Sequence, residues 1–149
     1  MRNSSISQIK ILAIKLSLNL KNGDFLLLDG DIGTGKTTLT RFLINNIQKK
    51  YKKRQTEIPS PTFNIALEYN IKNFIVRHFD LYRIKKRFEI NNIGLFEEID
   101  NTITIVEWPE LIKKKPKNYI KISFKYSKKI NERNLRISSH GRCKEYEIN

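Results

Sequence analysis

Apolar residues recur at Ile9, Leu12, Ala13, Leu16 and Leu20, the spacing of one helix face, and Ser4, Ser5 and Ser7 ahead of them are helix-start residues. Asn22-Gly23 predicts the stop. Phe25-Leu26-Leu27-Leu28 is a short continuous apolar run, as a buried strand requires. Leu39, Phe42, Leu43 and Ile47 return to helical spacing and predict a second helix from Thr38 to Gln48.

Alternation then takes over. Asn64 to Asn70 and Phe74 to Phe79, joined by the turn-like Asn70-Ile71-Lys72-Asn73, predict a β-hairpin. Its second strand runs into Asp80 and Arg83. Arg87 to Asp100 reads as a helix in two pieces, broken near Asn91-Asn92 or Gly94, with Phe96, Glu97 and Glu98 in the second. The β-branched run Thr102 to Val106 predicts a strand ending at Glu107, and Pro109 stops it. Tyr119 to Tyr126 and Asn134 to Ser138 alternate and predict an antiparallel pair. Order is expected to end near His140-Gly141, with a polar tail over about 142–149.

The pattern, with the glycine-rich segment Gly30–Thr37 set between a predicted strand and a predicted helix, predicts an α/β fold built as a three-layer sandwich of the P-loop NTPase type. Its central sheet should be mostly parallel, with antiparallel hairpin additions. A chain of 149 residues suits one domain, here 1–149, and carries a real core. No apolar stretch is long enough to span a bilayer, and Lys10 and Lys15 interrupt the N-terminal apolar residues, which argues against a signal peptide. The lone Cys143 excludes an internal disulfide and favours a reducing, cytoplasmic setting.

Net charge is +14, which invites an anionic partner such as RNA. The joint abundance of Lys, Asn and Ile gives a second account, AT-rich coding. The run Lys49-Lys50-Tyr51-Lys52-Lys53-Arg54 has the same two readings, a solvated connection or a phosphate-contacting patch.

The strand and helix around residue 30 enclose Gly30-Asp31-Ile32-Gly33-Thr34-Gly35-Lys36-Thr37, followed by Thr38, a full match to G-x-x-x-x-G-K-[ST]. Glycines let successive amides turn inward and cradle an anion, and the helix start adds positive partial charge there. Lys36 is expected to reach the β- and γ-phosphates, and the Thr37 hydroxyl to bind Mg²⁺. Ser60-Pro61-Thr62-Phe63 is a proline-stiffened loop offering hydroxyls, either a γ-phosphate switch with Thr62 as sensor or a plain connection. Two carboxylates, Asp80 and Glu107, lie at predicted strand ends, where such folds collect their chemistry. One should manage the metal and the other the attacking water; Glu107 is assigned to the metal, and the residues alone leave the exchange of roles open. His78 reads as structural and Trp108 as a core or partner-facing aromatic.

The phosphate loop, Ser60-Pro61-Thr62-Phe63, His78-Phe79-Asp80-Leu81-Tyr82-Arg83 and Val106-Glu107-Trp108-Pro109-Glu110, in that order, resemble the TsaE (YjeE) family. Gly94-Leu95-Phe96-Glu97-Glu98, Arg133 and Gly141 extend the resemblance to about Gly23–Gly141. Ile9 stands where the family usually has threonine, and Glu132 where it favours glycine. The resemblance implies a cytoplasmic ATPase, weak alone, that serves threonylcarbamoyladenosine formation on tRNAs reading ANN codons with the partners TsaB and TsaD. It implies ATP and Mg²⁺ as cofactors, with Asp31, Ile32, Gly33, Thr34, Gly35, Lys36, Thr37, Thr38 and Arg133 around the nucleotide. Lys36, Thr62, Asp80 and Glu107 would carry catalysis, and Thr37 and Glu107 the metal. Two rivals remain at this stage, a small-molecule or nucleoside kinase and a non-catalytic RNA-binding module with a relict phosphate loop. No arginine-bearing lid supports the first, and no Asn-Lys-x-Asp segment supports a GTPase.

Overall fold

The computed structural model describes residues 2–148. Its elements are β1 (Arg2–Ser5), α1 (Ile6–Asn19), β2 (Phe25–Asp29), α2 (Lys36–Lys50), β3 (Ala66–Asn70), β4 (Ile75–Asp80), α3 (Phe88–Asn92), β5 (Thr102–Glu107), β6 (Tyr119–Tyr126) and β7 (Glu132–His140). The strands form one seven-stranded sheet in the order β1-β7-β6-β2-β5-β4-β3.

The centre of this sheet is parallel: β2 pairs with β5 and β6, and β4 pairs with β5. Both edges are antiparallel, through β3–β4, β6–β7 and β1–β7. The sheet is thus evenly mixed, and the expected parallel majority is confined to its middle. Short links explain the β3–β4 and β6–β7 pairs, because a parallel return needs a long crossover and a few residues do not supply one; β1 and β7 come from opposite ends of the chain. β2 is flanked on both sides and is buried from Phe25 to Leu28, which is why it reads as unbroken apolar sequence.

The two faces are unequal. One buries Leu26, Leu28, Ile103, Ile105, Ile120 and Ile122 beneath α1 and α2, with Leu12, Leu16, Leu39 and Leu43 facing inward. The other buries Phe25, Leu27, Phe79 and Val106 beneath Leu81, Ile84, Ile90, Leu95 and Ile112. Among the described residues, the five-residue α3 and irregular chain supply that cover. Of the described elements, α1 and α2 thus cover one face of the sheet, and the short α3 with irregular chain covers the other.

Three local expectations are corrected. Arg2–Ser5, expected as the helix approach, is a strand on β7. Ser5 still caps α1, where Gln8 N–H donates to Ser5 Oγ and Ser5 N–H donates to Gln8 Oε1, a reciprocal capping box. The second half of 87–100 is turn and a 3-10 segment at Ile99–Asn101, because Gly94 and Glu98 both take positive φ (68° and 48°) and interrupt helix geometry.

The tail is the largest correction. Gly141–Glu145 forms a 3-10 turn, and Cys143 and Ile148 are buried in the main core. Asp24, wholly buried at the entrance to β2, accepts hydrogen bonds from Arg142 Nε (2.9 Å) and Tyr146 Oη (2.6 Å). A buried carboxylate must be paired, so the tail is drawn back onto the sheet. Of the expected tail, Asn149 lies outside the described residues, as Met1 does at the other end. Among the described residues no helix is long and apolar enough to cross a membrane.

Candidate phosphate-binding site

β2 ends at Asp29 and the chain turns at once into α2. At Gly30 (φ +138°) a Cβ would lie 2.4 Å from the Phe124 carbonyl oxygen of β6, so the turn admits glycine alone. Gly35 is the N-cap of α2 in left-handed geometry (φ 108°) and supplies no side chain to the first-turn amides. Those amides, at the positive end of a 15-residue helix, suit an anion.

Lys36 opens α2 and is only 4% exposed. Its Nζ donates to the carbonyls of Gly30 (2.5 Å) and Asp31 (2.9 Å), bridging the loop from within. It also lies 3.9 Å from the centroid of the Trp108 ring. Burial lowers its pKa, and the carboxylates of Glu107, Asp80, Glu110 and Asp29 oppose that shift. Thr34 Oγ1 donates to Asp31 O (2.7 Å) and Tyr126 Oη to Ile32 O (2.6 Å), so the loop is held from both sides.

The carboxylates are register partners. Asp80 ends β4 and Glu107 ends β5, paired side by side in parallel. Both are nearly fully buried, at 3% and 2% exposure. Thr37 Oγ1 donates to Glu107 Oε2 (3.0 Å), and His78 Nε2 lies 2.8 Å from Glu107 Oε1. Thr62 Oγ1 donates to Asp80 Oδ2 (2.8 Å), Ser60 Oγ reaches the same oxygen at 3.4 Å, and Tyr82 N–H donates to Oδ1 (2.9 Å). Ile65, next to the proline loop, holds a left-handed φ of 66°, costly for a β-branched residue, and its carbonyl accepts Asp80 N–H (2.9 Å). That strain is held where the Thr62 loop meets Asp80.

Lys36, Thr37, Thr38, Thr62, Asp80 and Glu107 line one open cleft of about 320 Å³ together with Ile32, Gly33, Gly35, Ser60, Tyr82 and Trp108. A second cavity shares Gly33, Gly35 and Thr38 and is lined further by Thr34, Ile6, Ile9, Ile130, Asn131 and Arg133. Arg133 donates to Glu132 O (2.9 Å) and Ile130 O (3.2 Å) there, and lies 5.1 Å from the Tyr126 ring centroid. Asp31 is the exception among the expected residues: its side chain is exposed and lines neither cavity, and its carbonyl contributes instead. Among the described residues no three His, Cys, Asp or Glu side chains form a metal-holding group. A hard cation here would draw on Thr37, one carboxylate, phosphate oxygens and water.

The model of the family "Threonylcarbamoyl adenosine biosynthesis protein TsaE" matches residues 3–135, most of the chain and every motif of the cleft. The chain belongs to the TsaE family. Relatives named "tRNA threonylcarbamoyladenosine biosynthesis protein TsaE" include one from Rickettsia conorii, 40% identical over 74% of this chain and 61% of its own length. Another, from Rickettsia typhi, is 39% identical over 74% of each chain. A third, from Haemophilus influenzae, is 35% identical over 68% of this chain and 61% of its own. The chain thus spans about three-fifths to three-quarters of the length of these relatives. The crystal structure of Bacillus subtilis YdiB superposes with a TM-score of 0.70 at 27% identity, over 99% of this chain and 88% of that one.

Within this TsaE-family cleft, two contributions escaped sequence reasoning. Trp108 is neither plain core nor purely partner-facing. Its backbone is left-handed (φ 60°, ψ 58°) with its N–H donating to Leu28 O (3.1 Å), so the half-buried ring packs on the second cluster while its face covers Lys36. His78 is buried against Glu107 rather than merely filling the sheet. A signal for it existed: His78 and Asp80 are two apart on one strand, hence on one face, and Glu107 belongs to the same face of the adjacent strand. Period-two reasoning finds the pair only once the strand order is known.

Proposed function

We propose that this protein is a Mg²⁺-dependent ATP-binding and ATP-hydrolysing member of the TsaE family, acting with TsaB and TsaD partners in threonylcarbamoyladenosine formation on tRNAs reading ANN codons. One observation carries the reading. A glycine-rich loop, its lysine and two separately wired carboxylates converge on a single cleft.

Phosphoryl transfer leaves a protein mainly positioning and charge stabilisation. The amides of residues 33–37 and the Lys36 ammonium would hold the triphosphate. Lys36 must leave its carbonyl partners or share them, since its Nζ already closes the loop. Thr37 and Glu107 fit a hard cation by their oxygen donors, with the Thr37 hydroxyl donating its hydrogen bond to Glu107 Oε2 and so leaving its own lone pairs free for a cation. Mg²⁺ would supply charge neutralisation at the phosphate oxygens. Asp80 is left for the attacking water, and Thr62, bonded to it, links the proline-stiffened loop to the reacting end. The second cavity, with Ile6, Ile9 and Ile130 around Asn131, suits a nucleoside by offering an apolar slot and an amide.

The test is phosphate release with ATP, with and without Mg²⁺, and with and without the TsaB and TsaD partners. Release that needs Mg²⁺ and rises with the partners supports the proposal. Release only with a small-molecule acceptor favours a kinase, and none under any condition favours a binding module.

A further inference from the structure

The His78–Glu107 contact joins two side chains that are 0% and 2% exposed, 2.8 Å apart, in the interior of a sheet. Core packing alone does not explain it. β4 is otherwise apolar between its ends on that face, with Val76 in the main cluster, and any apolar residue would fill the position. A polar pair there has to be justified by what it holds.

What it holds is the Glu107 carboxylate. Glu107 Oε2 accepts from the Thr37 hydroxyl, and Oε1 lies 2.8 Å from His78 Nε2. A carboxylate oxygen accepts, so we assign the imidazole hydrogen to Nε2. Its Nδ1 is buried without a hydrogen-bond partner among the described residues, a cost the fold bears for the sake of the other nitrogen. With Oε1 tethered, rotation of the carboxylate is blocked and Oε2 has to face the Thr37 hydroxyl. Metal sites commonly need this support behind the ligand shell, and its loss typically costs about 10–100-fold in metal affinity or activity.

We infer that His78 is a positioning residue for the cation half of the cleft: it clamps Glu107 so that the Thr37–Glu107 pair is set for Mg²⁺ before nucleotide arrives. The inference rests on the proposed nucleotide reading. It separates the two halves of the cleft, because Asp80 is oriented by a different set, Thr62 and the Tyr82 amide. Loss of the His78 contact should therefore strike metal dependence and spare metal-free nucleotide binding.

The experiment is a Mg²⁺ titration of ATP binding in wild type, His78→Leu, His78→Asn and His78→Gln, followed by calorimetry, with ATP affinity in EDTA measured alongside. Leu lacks a donor and Asn ends short of Glu107, whereas the Gln amide nitrogen stands about where Nε2 does. For Leu and Asn, the Mg²⁺ concentration at half-effect should rise by about 10-fold or more, with affinity in EDTA within about two-fold of wild type. Gln should restore most of the loss. A folded Leu or Asn variant with wild-type Mg²⁺ dependence would overturn the inference, as would equal losses with and without metal. Wild type that binds ATP with no response to Mg²⁺ would instead overturn the underlying reading. Should the Leu variant fail to fold, the Asn–Gln contrast still decides.

Discussion

Asp80 and Glu107 sit side by side at the ends of adjacent parallel strands, yet among the described residues their side chains share no hydrogen-bond partner. Glu107 is bound into the phosphate-loop helix through Thr37, and Asp80 into the proline loop through Thr62. Like charges so placed would repel; Lys36, which feels both carboxylates, offsets that. The separate wiring divides the predicted effects of mutation.

Lys36→Ala should weaken ATP binding by about 100-fold or more, the scale of losing a charge-assisted contact of about 3 kcal/mol. Calorimetry measures it directly. Full-strength binding by the variant would defeat the assignment of the loop.

Asp80→Asn should leave ATP binding within a few-fold and lower turnover by about 10²–10⁴-fold, the range for a lost general base. Thr62→Val should move in the same direction by less, since it removes one partner of Asp80. Single-turnover phosphate release, run with partner proteins present, separates chemistry from binding. Unchanged turnover in the Asp80 variant would return the water-activating role to Glu107.

Trp108 is the single tryptophan of the chain and its ring covers Lys36 at 3.9 Å. Triphosphate drawing Lys36 away from that face should change tryptophan emission, saturating with the same affinity that calorimetry gives. In Lys36→Ala the change should vanish. A silent tryptophan across a saturating titration would mean that Lys36 keeps its place when nucleotide binds.

Gly30→Ala should destabilise the fold by about 1–3 kcal/mol, because the methyl meets the Phe124 carbonyl and the backbone sits where L-residues strain. Denaturant unfolding reads this out. A neutral result would show that β6 can give way behind the loop.

The C-terminal clasp predicts an alkaline limit. Burial, with the Asp24 carboxylate second, raises the Cys143 thiol from 9.0 to about 12, and burial likewise raises Tyr146, whose hydroxyl is bonded to Asp24. Both groups are folded in their neutral forms. The Cys143 contribution is complete below its unfolded pKa of 9.0 and is lost as pH climbs toward about 12, and the Tyr146 contribution is lost from its unfolded value of 10.0 upward. Thermal melts should fall across that window, and Cys143→Ala with Tyr146→Phe should flatten the fall. An unchanged slope in the double variant would place the alkaline transition elsewhere.

How much of this was legible beforehand differs by element. The first helix, read from Ile9 to Leu20, the strand at Phe25 and the phosphate loop were plain, since each is written in the spacing of neighbouring residues. The strand at Arg2–Ser5 was not, because four mostly polar residues become a strand only when β7 offers an edge. The tail misled for a related reason: its polar look hid two donors meant for Asp24, which lies more than a hundred positions away in the chain.

By itself the sequence determined the α/β class, the glycine turn with its lysine, and the candidate acids, because these follow from periodicities and motifs that neighbouring residues carry. Only the tertiary structure decided which acid faces Thr37, that His78 stands behind Glu107, and that Trp108 covers Lys36. Those relations depend on strand order and on one left-handed residue at a strand end, and pairing across a sheet is set by contacts between distant segments that no local pattern encodes.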